Sequence, residues 1–241
     1  MQPTRALVLS DAHLGAVPER SERRLAAFLE AAPERADELV VAGDLFDFWF
    51  EYRTVVLREH FGILRRLADA ADQGLRIRLV GGNHDAWGGS FLREEVGVEP
   101  VDGPVTTRVG GRRTYLAHGD GLGGGDWGYR ALKRVIRSRP AVEAFRLLPP
   151  DLAVPLVRGL SGTDGESAGA GSRAGPLADH AAELIRGRPD LELVVFGHSH
   201  RPRLDEVEPG RFYLNPGDWI DEFTYGVVGP ETVELRRWDR G

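Results

Sequence analysis

Along this chain, five strand-length apolar runs are each followed closely by rare polar residues. Asp11 and His13 follow Arg5–Ser10, Asp44 follows Glu38–Ala42, and Asn83 and His84 follow Leu75–Val80. His118 follows Arg112–Ala117, and His198 and His200 follow Leu191–Phe196. Helical patterns separate the first three runs. Residues 19–32 place Leu25, Phe28 and Leu29 on one face, and residues 54–73 place Val56, Phe61, Leu64, Leu67 and Ala68 inward. Strand, helix and strand at this spacing predict parallel strands joined by crossover helices. In open α/β sheets, ligands bind in the crevice beyond the C-terminal strand ends, where these polar residues would lie.

Two further strands are expected at 104–109 and 112–117, joined by the two-residue turn Gly110-Gly111. Residues 127–186 change character: they are helical in pattern, rich in Arg and interrupted by Pro149-Pro150. Within them the Gly/Ser-rich stretch 159–175 reads as a flexible loop. Strands resume at 191–196, 211–215, 223–228 and 232–238. We read one α/β domain over 1–241, carrying a helical insertion at 126–186. A length of 241 residues suits one such core, and 41% hydrophobic with 28% charged residues excludes wholesale disorder. With no Cys, disulfides, thiolate metal sites and cysteine nucleophiles are excluded, which fits a reducing cytoplasm. A net charge of −6 argues against a protein that coats nucleic acid. The N-terminal run Ala6–Leu9 is expected to be a core strand, and no run reaches the length of an export signal or a spanning helix.

Each polar cluster alone is compatible with an ordinary turn. Together they give Asp-x-His, Gly-Asp-x-x-Asp (Gly43, Asp44, Asp47), Gly-Asn-His-Asp (Gly82 to Asp85), His-Gly-Asp (His118 to Asp120) and Gly-His-x-His (Gly197 to His200), in order, at successive strand ends. Imidazole, carboxylate and carboxamide without sulfur suit Mn, Fe, Zn, Co or Ni better than Ca or Mg. Asp11, His13, Asp44, Asn83, His118, His198 and His200 are more ligands than one ion takes and one short of two four-ligand sites. A bridging carboxylate resolves this, and Asp44, central in the set, is the natural bridge. Two divalent ions about 3.5–4 Å apart are the arrangement that clamps phosphoryl oxygens and makes hydroxide from water near neutral pH. The other two histidines, His60 and His180, fall in helical patterns and read as surface or structural.

The five motifs in this order resemble the calcineurin-like metallophosphoesterase superfamily over nearly the whole chain. The resemblance implies a four-layer α-β-β-α sandwich with a dinuclear site at the strand ends. It implies one ion held by Asp11, His13, Asp44 and His200, and a second by Asp44, Asn83, His118 and His198. His84 matches the family's histidine that stabilises developing charge or protonates the leaving oxygen, with Asp85 orienting it. Asp47 and Asp120 are expected behind the ligands or in turns.

Three features narrow the branch: the aromatic run Phe46 to Tyr52 beyond the bridging Asp, the segment Asn215-Pro-Gly-Asp-Trp219, and the Arg-rich insertion. Together these are similar to the UDP-2,3-diacylglucosamine diphosphatase branch of lipid A synthesis. That resemblance implies attack on a UDP-linked diacyl sugar, Mn as the usual metal, and residues 126–186 as a lid over the acyl chains. It also implies substrate contacts at Asn83, His84, Asp126 and His198. Many members carry Gly-Asn-Arg-Asp, where this chain has His84. The segment 130–146 is basic and amphipathic, with Leu132, Val135, Ile136, Val142 and Phe145 among six basic residues. Such a segment is suited to anionic lipid at a membrane surface, or equally to packing on the domain. Partners are then a phosphorylated lipid or nucleotide-sugar substrate and peripheral inner-membrane contact, with no nucleic acid or protein partner. The alternatives are the same chemistry on a soluble phosphodiester, nucleotide or phosphomonoester, and a metal-free interaction module.

Overall fold

The computed structural model of the chain describes residues 4–85, 87, 89–122, 135, 138–161 and 163–240. Its strands are β1 (Ala6–Leu9), β2 (Glu38–Val41), β3 (Arg76–Val80), β4 (Val98–Val101), β5 (Val105–Val109), β6 (Arg112–Leu116), β7 (Leu193–Val195), β8 (Arg203–Glu208), β9 (Arg211–Asn215), β10 (Thr224–Val228) and β11 (Val233–Arg237). Its helices are α1 (Glu19–Ala31), α2 (Phe61–Asp72), α3 (Ser90–Glu94), α4 (Arg139–Phe145), α5 (Pro150–Ser161) and α6 (Thr163–Gly187).

The strands form two sheets, ordered β11-β10-β1-β2-β3-β4 and β5-β6-β7-β9-β8. Strands β1 to β4 pair in parallel, as the strand–helix alternation requires. So do β6, β7 and β9 in the second sheet. Strand periodicity then sorts the apolar residues into layers. Leu7, Leu9, Leu39, Val41, Ile77 and Leu79 pack under Leu25, Phe28 and Leu29 of α1 and Ile63, Leu64 and Leu67 of α2. The opposite face presents Ala6, Val8, Val40, Ala42 and Val80 to Val109, Leu116, Leu193, Val195 and Leu214 of the second sheet. On the far side, Val194, Phe196 and Tyr213 lie beneath Leu177, Ala178, Ala181 and Ile185 of α6. The result is the expected α-β-β-α sandwich.

Four local expectations are corrected. The helix expected from Thr54 begins at Phe61, after a 3-10 turn at Arg58–His60. That turn tucks His60 between Phe46 and Trp49, its Nε2 against the Phe48 carbonyl at 3.0 Å. Val56 and Phe61, expected inward, are 42% and 65% exposed. The stretch 159–175 is not a loop: α5 and α6 run through it apart from residue 162. The buried face of α6 at Leu177–Ile185 anchors that helix, and extending an anchored helix is easier than starting one. Strands β4 and β8 were not expected. Both are edge strands, and Pro100 in β4 and the charges of β8 obscure the strand pattern.

Candidate metal centre

The parallel strands deliver the candidate ligands to one edge of the sandwich, and the backbone there bends in an unusual way. Among the described residues, six non-glycines have positive φ: Asp11 (54°), His13 (43°), Asp44 (53°), His198 (64°), His200 (53°) and Phe223 (51°). All but Phe223 are candidate ligands. The left-handed region costs a non-glycine residue about 1–3 kcal/mol and persists only where the surroundings over-determine it. Here the Asp11 amide donates to the Gly43 carbonyl at 3.1 Å and the His13 amide to the Asp44 carbonyl at 3.0 Å. The Asp11 carboxylate in turn accepts the His198 amide at 3.0 Å, tying the two sheets together.

Glycines leave room for the ligands. A Cβ at Gly43 (φ +96°) would stand 2.4 Å from His118 Nδ1, and one at Gly82 would stand 2.0 Å from Asp44 Oδ1. At Gly197 it would stand 2.8 Å from Asp11 Oδ2.

The side chains meet in adjoining groups. Asp11, His13 and His200 bring donor atoms within 4.8 Å of one another, as do Asp44, His118 and His198. A third group, His13, Asp44 and His84, joins them. Asp44 Oδ2 lies 2.9 Å from His118 Nε2 and 3.9 Å from His13 Nε2. Asn83 Oδ1 lies 3.1 Å from His118 Nε2. These side chains thus lie side by side at one edge of the sandwich, with His84 among them.

The donor set fits a pair of cations. Both His13 ring nitrogens are buried without a hydrogen-bond partner among the described residues. An orphaned buried polar atom is costly, and a cation relieves it. His118 points Nδ1 at the Ala42 carbonyl, 2.9 Å away, and Nε2 at two acceptors, Asp44 and Asn83. Burial alone would lower the His118 pKa, but the Asp44 carboxylate outweighs it and holds the ring well above the ordinary imidazole value. Burial alone would likewise raise Asp44, yet His118 holds that carboxyl well below its usual range. His13 is opposed by burial and raised by the Asp47, Asp44 and Asp11 carboxylates. His198 is pushed down to about 3, first by burial and then by the charge of His118, so it is a neutral donor near pH 7.

Two residues are placed differently from expectation. The Asp85 carboxylate accepts the backbone amides of Leu45 (2.6 Å), Gly82 (2.8 Å), Asp44 (3.2 Å) and Phe46 (3.4 Å). It clamps the turn that carries Asp44, and burial, then the nearby Asp44 charge, push its pKa up to about 6. The His84 ring is instead fixed by its Nδ1, 2.7 Å from the Asp47 carbonyl. A backbone oxygen carries no sequence signature, so sequence reasoning assigned that role to the nearest acid. Asp126 lies outside the described residues. Asn215 and Ser199 are further residues of the site's frame. The Asn215 amide donates to Gly197 O and Ser199 Oγ, holding the loop that bears His198 and His200.

Residues 4–202 match the family model described as calcineurin-like phosphoesterase. The chain belongs to that family. Calcineurin-like phosphoesterases are hydrolases with a dinuclear divalent-metal site, and the His/Asp groups of this member fit one. Among its relatives, a UDP-2,3-diacylglucosamine hydrolase of Porphyromonas gingivalis is 31% identical, over 94% of each chain. One from Ectopseudomonas mendocina is also 31% identical, over 88% of this chain and 89% of its own. One from Aeromonas salmonicida is 27% identical over 96% of this phosphoesterase and 92% of its own length. No helix among the described residues of the phosphoesterase is long and apolar enough to cross a membrane.

Proposed function

We propose that this enzyme hydrolyses the pyrophosphate of UDP-2,3-diacylglucosamine, releasing UMP and 2,3-diacylglucosamine 1-phosphate, with two Mn ions. The observation that carries the chemistry is the meeting of Asp11, His13 and His200 with Asp44, His118 and His198 across the two sheets. Asp11, His13, Asp44 and His200 would hold one ion, and Asp44, Asn83, His118 and His198 the other. When bound, the ions supply positive charge for the phosphoryl oxygens and lower the pKa of water.

The chain's own residues do the rest. Asp44, kept ionised by His118, faces both groups. With Nδ1 engaged by the Asp47 carbonyl, His84 would meet a phosphoryl or leaving oxygen through Nε2 and steady its charge or give it a proton. Asp85 keeps the Asp44 turn in place through its amide bonds.

The lipid half of the reading rests on the insertion at 126–186 as a lid. Phe48 and Phe50 form an apolar cluster with Val142, Phe145, Val154 and Val157 of the insertion. Leu147, Leu152 and Leu156 are 84%, 66% and 55% exposed, an apolar surface suited to acyl chains or to a membrane. A cytoplasmic enzyme touching the inner membrane through this surface follows. The names borne by the relatives above agree with this substrate. The test is turnover of UDP-2,3-diacylglucosamine with Mn beside a panel of soluble nucleotides, diesters and monoesters, with product identification. UMP release supports the reading; activity on soluble phosphoesters alone overturns the substrate.

A further inference from the structure

The segment 47–53 is bonded on one side to the turn after β3 and on the other to the insertion. On the first side it meets His84, Trp87, Gly89, Phe91 and Leu92 in turn. The Asp47 carbonyl meets His84 Nδ1 at 2.7 Å, the Trp49 amide donates to the His84 carbonyl at 3.2 Å, and Phe50 bridges Trp87 in parallel. The Glu51 carboxylate closes this series. Its Oε1 accepts the amides of Gly89 (2.7 Å) and Leu92 (3.2 Å), and its Oε2 accepts that of Phe91 (3.2 Å). Gly89 leaves the room for it, since a Cβ there would stand 2.6 Å from Glu51 Oε2.

On the second side, Phe50 packs edge-on against Phe145 at 4.7 Å between centroids. Arg146 Nε donates to the Glu51 carbonyl at 3.2 Å. Glu143 takes Arg53 Nη2 on one oxygen at 2.7 Å and Arg146 Nη1 on the other at 2.5 Å. Glu51 is therefore the residue whose side chain binds the start of α3, just beyond the catalytic turn, while its backbone binds the insertion.

We propose that Glu51 is a positioning residue, which couples the seating of the insertion to the placement of His84. It contacts no reacting atom. Its carboxylate fixes the amides of Gly89, Phe91 and Leu92, these hold α3 beside the pairing of Trp87 with Phe50 and of His84 with Asp47 and Trp49, and that pairing sets where the His84 ring sits. A displaced insertion would shift the same segment through Arg146, so a substrate that seats the insertion also tightens the catalytic turn. This deepens the functional reading above and rests on its role for His84, but not on its lipid substrate.

The test compares Glu51→Ala and Glu51→Gln with the parent enzyme. It uses amide hydrogen exchange, Mn uptake, and kinetics on a small chromogenic phosphodiester, with kcat and KM resolved separately. For Glu51→Ala, faster exchange is expected at 89–92, at 47–50 and at 139–146. Mn uptake is unchanged, and kcat falls about tenfold to a hundredfold, the scale of a misplacement near 1 Å. KM for the small diester stays within about twofold of the parent. Glu51→Gln keeps one acceptor oxygen and recovers part of kcat, whether or not Glu51→Ala folds. Faster exchange confined to 89–92 with a parental kcat overturns the proposal and leaves Glu51 a local cap. Equal loss in both variants also overturns it, because the role is then one of charge. Failure of the lipid reading shows separately, as a parent enzyme active on the small diester and inert on the UDP-linked lipid.

Discussion

Replacing Gly82 by Ala is the most direct probe of Asp44 as the shared ligand. The added Cβ would stand 2.0 Å from Asp44 Oδ1 and 2.7 Å from both its Cγ and its backbone nitrogen. An ordinary carbon–oxygen contact needs about 3.3 Å, so the carboxylate or the 82–85 turn must give by roughly 1.3 Å. Neither yields easily. Asp44 is 1% exposed, its turn gives three amides to the Asp85 carboxylate, and Gly82 gives a fourth. Overpacking of this kind costs about 1–3 kcal/mol, equivalent to a Tm lower by roughly 2–12 °C in a domain of this size. A shift near 1 Å at a catalytic position costs on the order of a hundredfold in kcat/KM. The assay is phosphodiester turnover with Mn, alongside calorimetric metal titration and thermal unfolding. Gly62→Ala is the control. It sits in α2 with nothing within 4 Å of the new Cβ, so activity should hold and stability should rise by up to about 1 kcal/mol. Parental kcat/KM with two ions still bound in Gly82→Ala would refute Asp44 as the common ligand.

Three other outcomes are expected. Metal uptake by the metal-free protein should release protons and weaken as pH falls. His118 and His13 are held protonated above the ordinary imidazole value by neighbouring carboxylates, so the cation must displace those protons; titration in buffers of different ionisation enthalpy reads this, and uptake without proton release would contradict it. Leu152→Asp should cut kcat/KM on the UDP-linked lipid by tenfold or so, the value of about 1.4 kcal/mol of lost apolar contact, and spare a small diester, as paired kinetics would show. Asp85→Asn should lower Tm, because its carboxylate serves four backbone amides; removing a charged acceptor of buried hydrogen bonds costs about 1.5–3 kcal/mol, and an unchanged melting curve would count against the clamp.

The candidate ligands were legible because metal chemistry needs particular side chains, and those side chains stand at the ends of strands that announce themselves by apolar runs. Asp11, His13, Asp44, Asn83, His118, His198 and His200 could be named, and grouped by the resemblance, before any coordinates. Residues that act through backbone amides were not legible in the same way. Asp85 looks like a partner for His84 in sequence and is a clamp on Leu45 and Gly82 in the structure. Glu51 carried one available signal, a lone acid between Phe50 and Tyr52 in an aromatic run, where a half-buried carboxylate must find donors.

Local chemistry along the chain therefore determined the parallel strands at the heart of each sheet, the order of the candidate ligands and the class of reaction. Side-chain periodicity and donor type are properties of short stretches, and neither depends on distant contacts. Only the tertiary structure decided the left-handed turns at Asp11, His13, Asp44, His198 and His200, the inward turn of His60 in place of Phe61, and the link from Glu51 to the insertion. Those depend on which amide finds which acceptor across the sandwich. Every residue carries the same amide and carbonyl, so no sequence pattern records that choice.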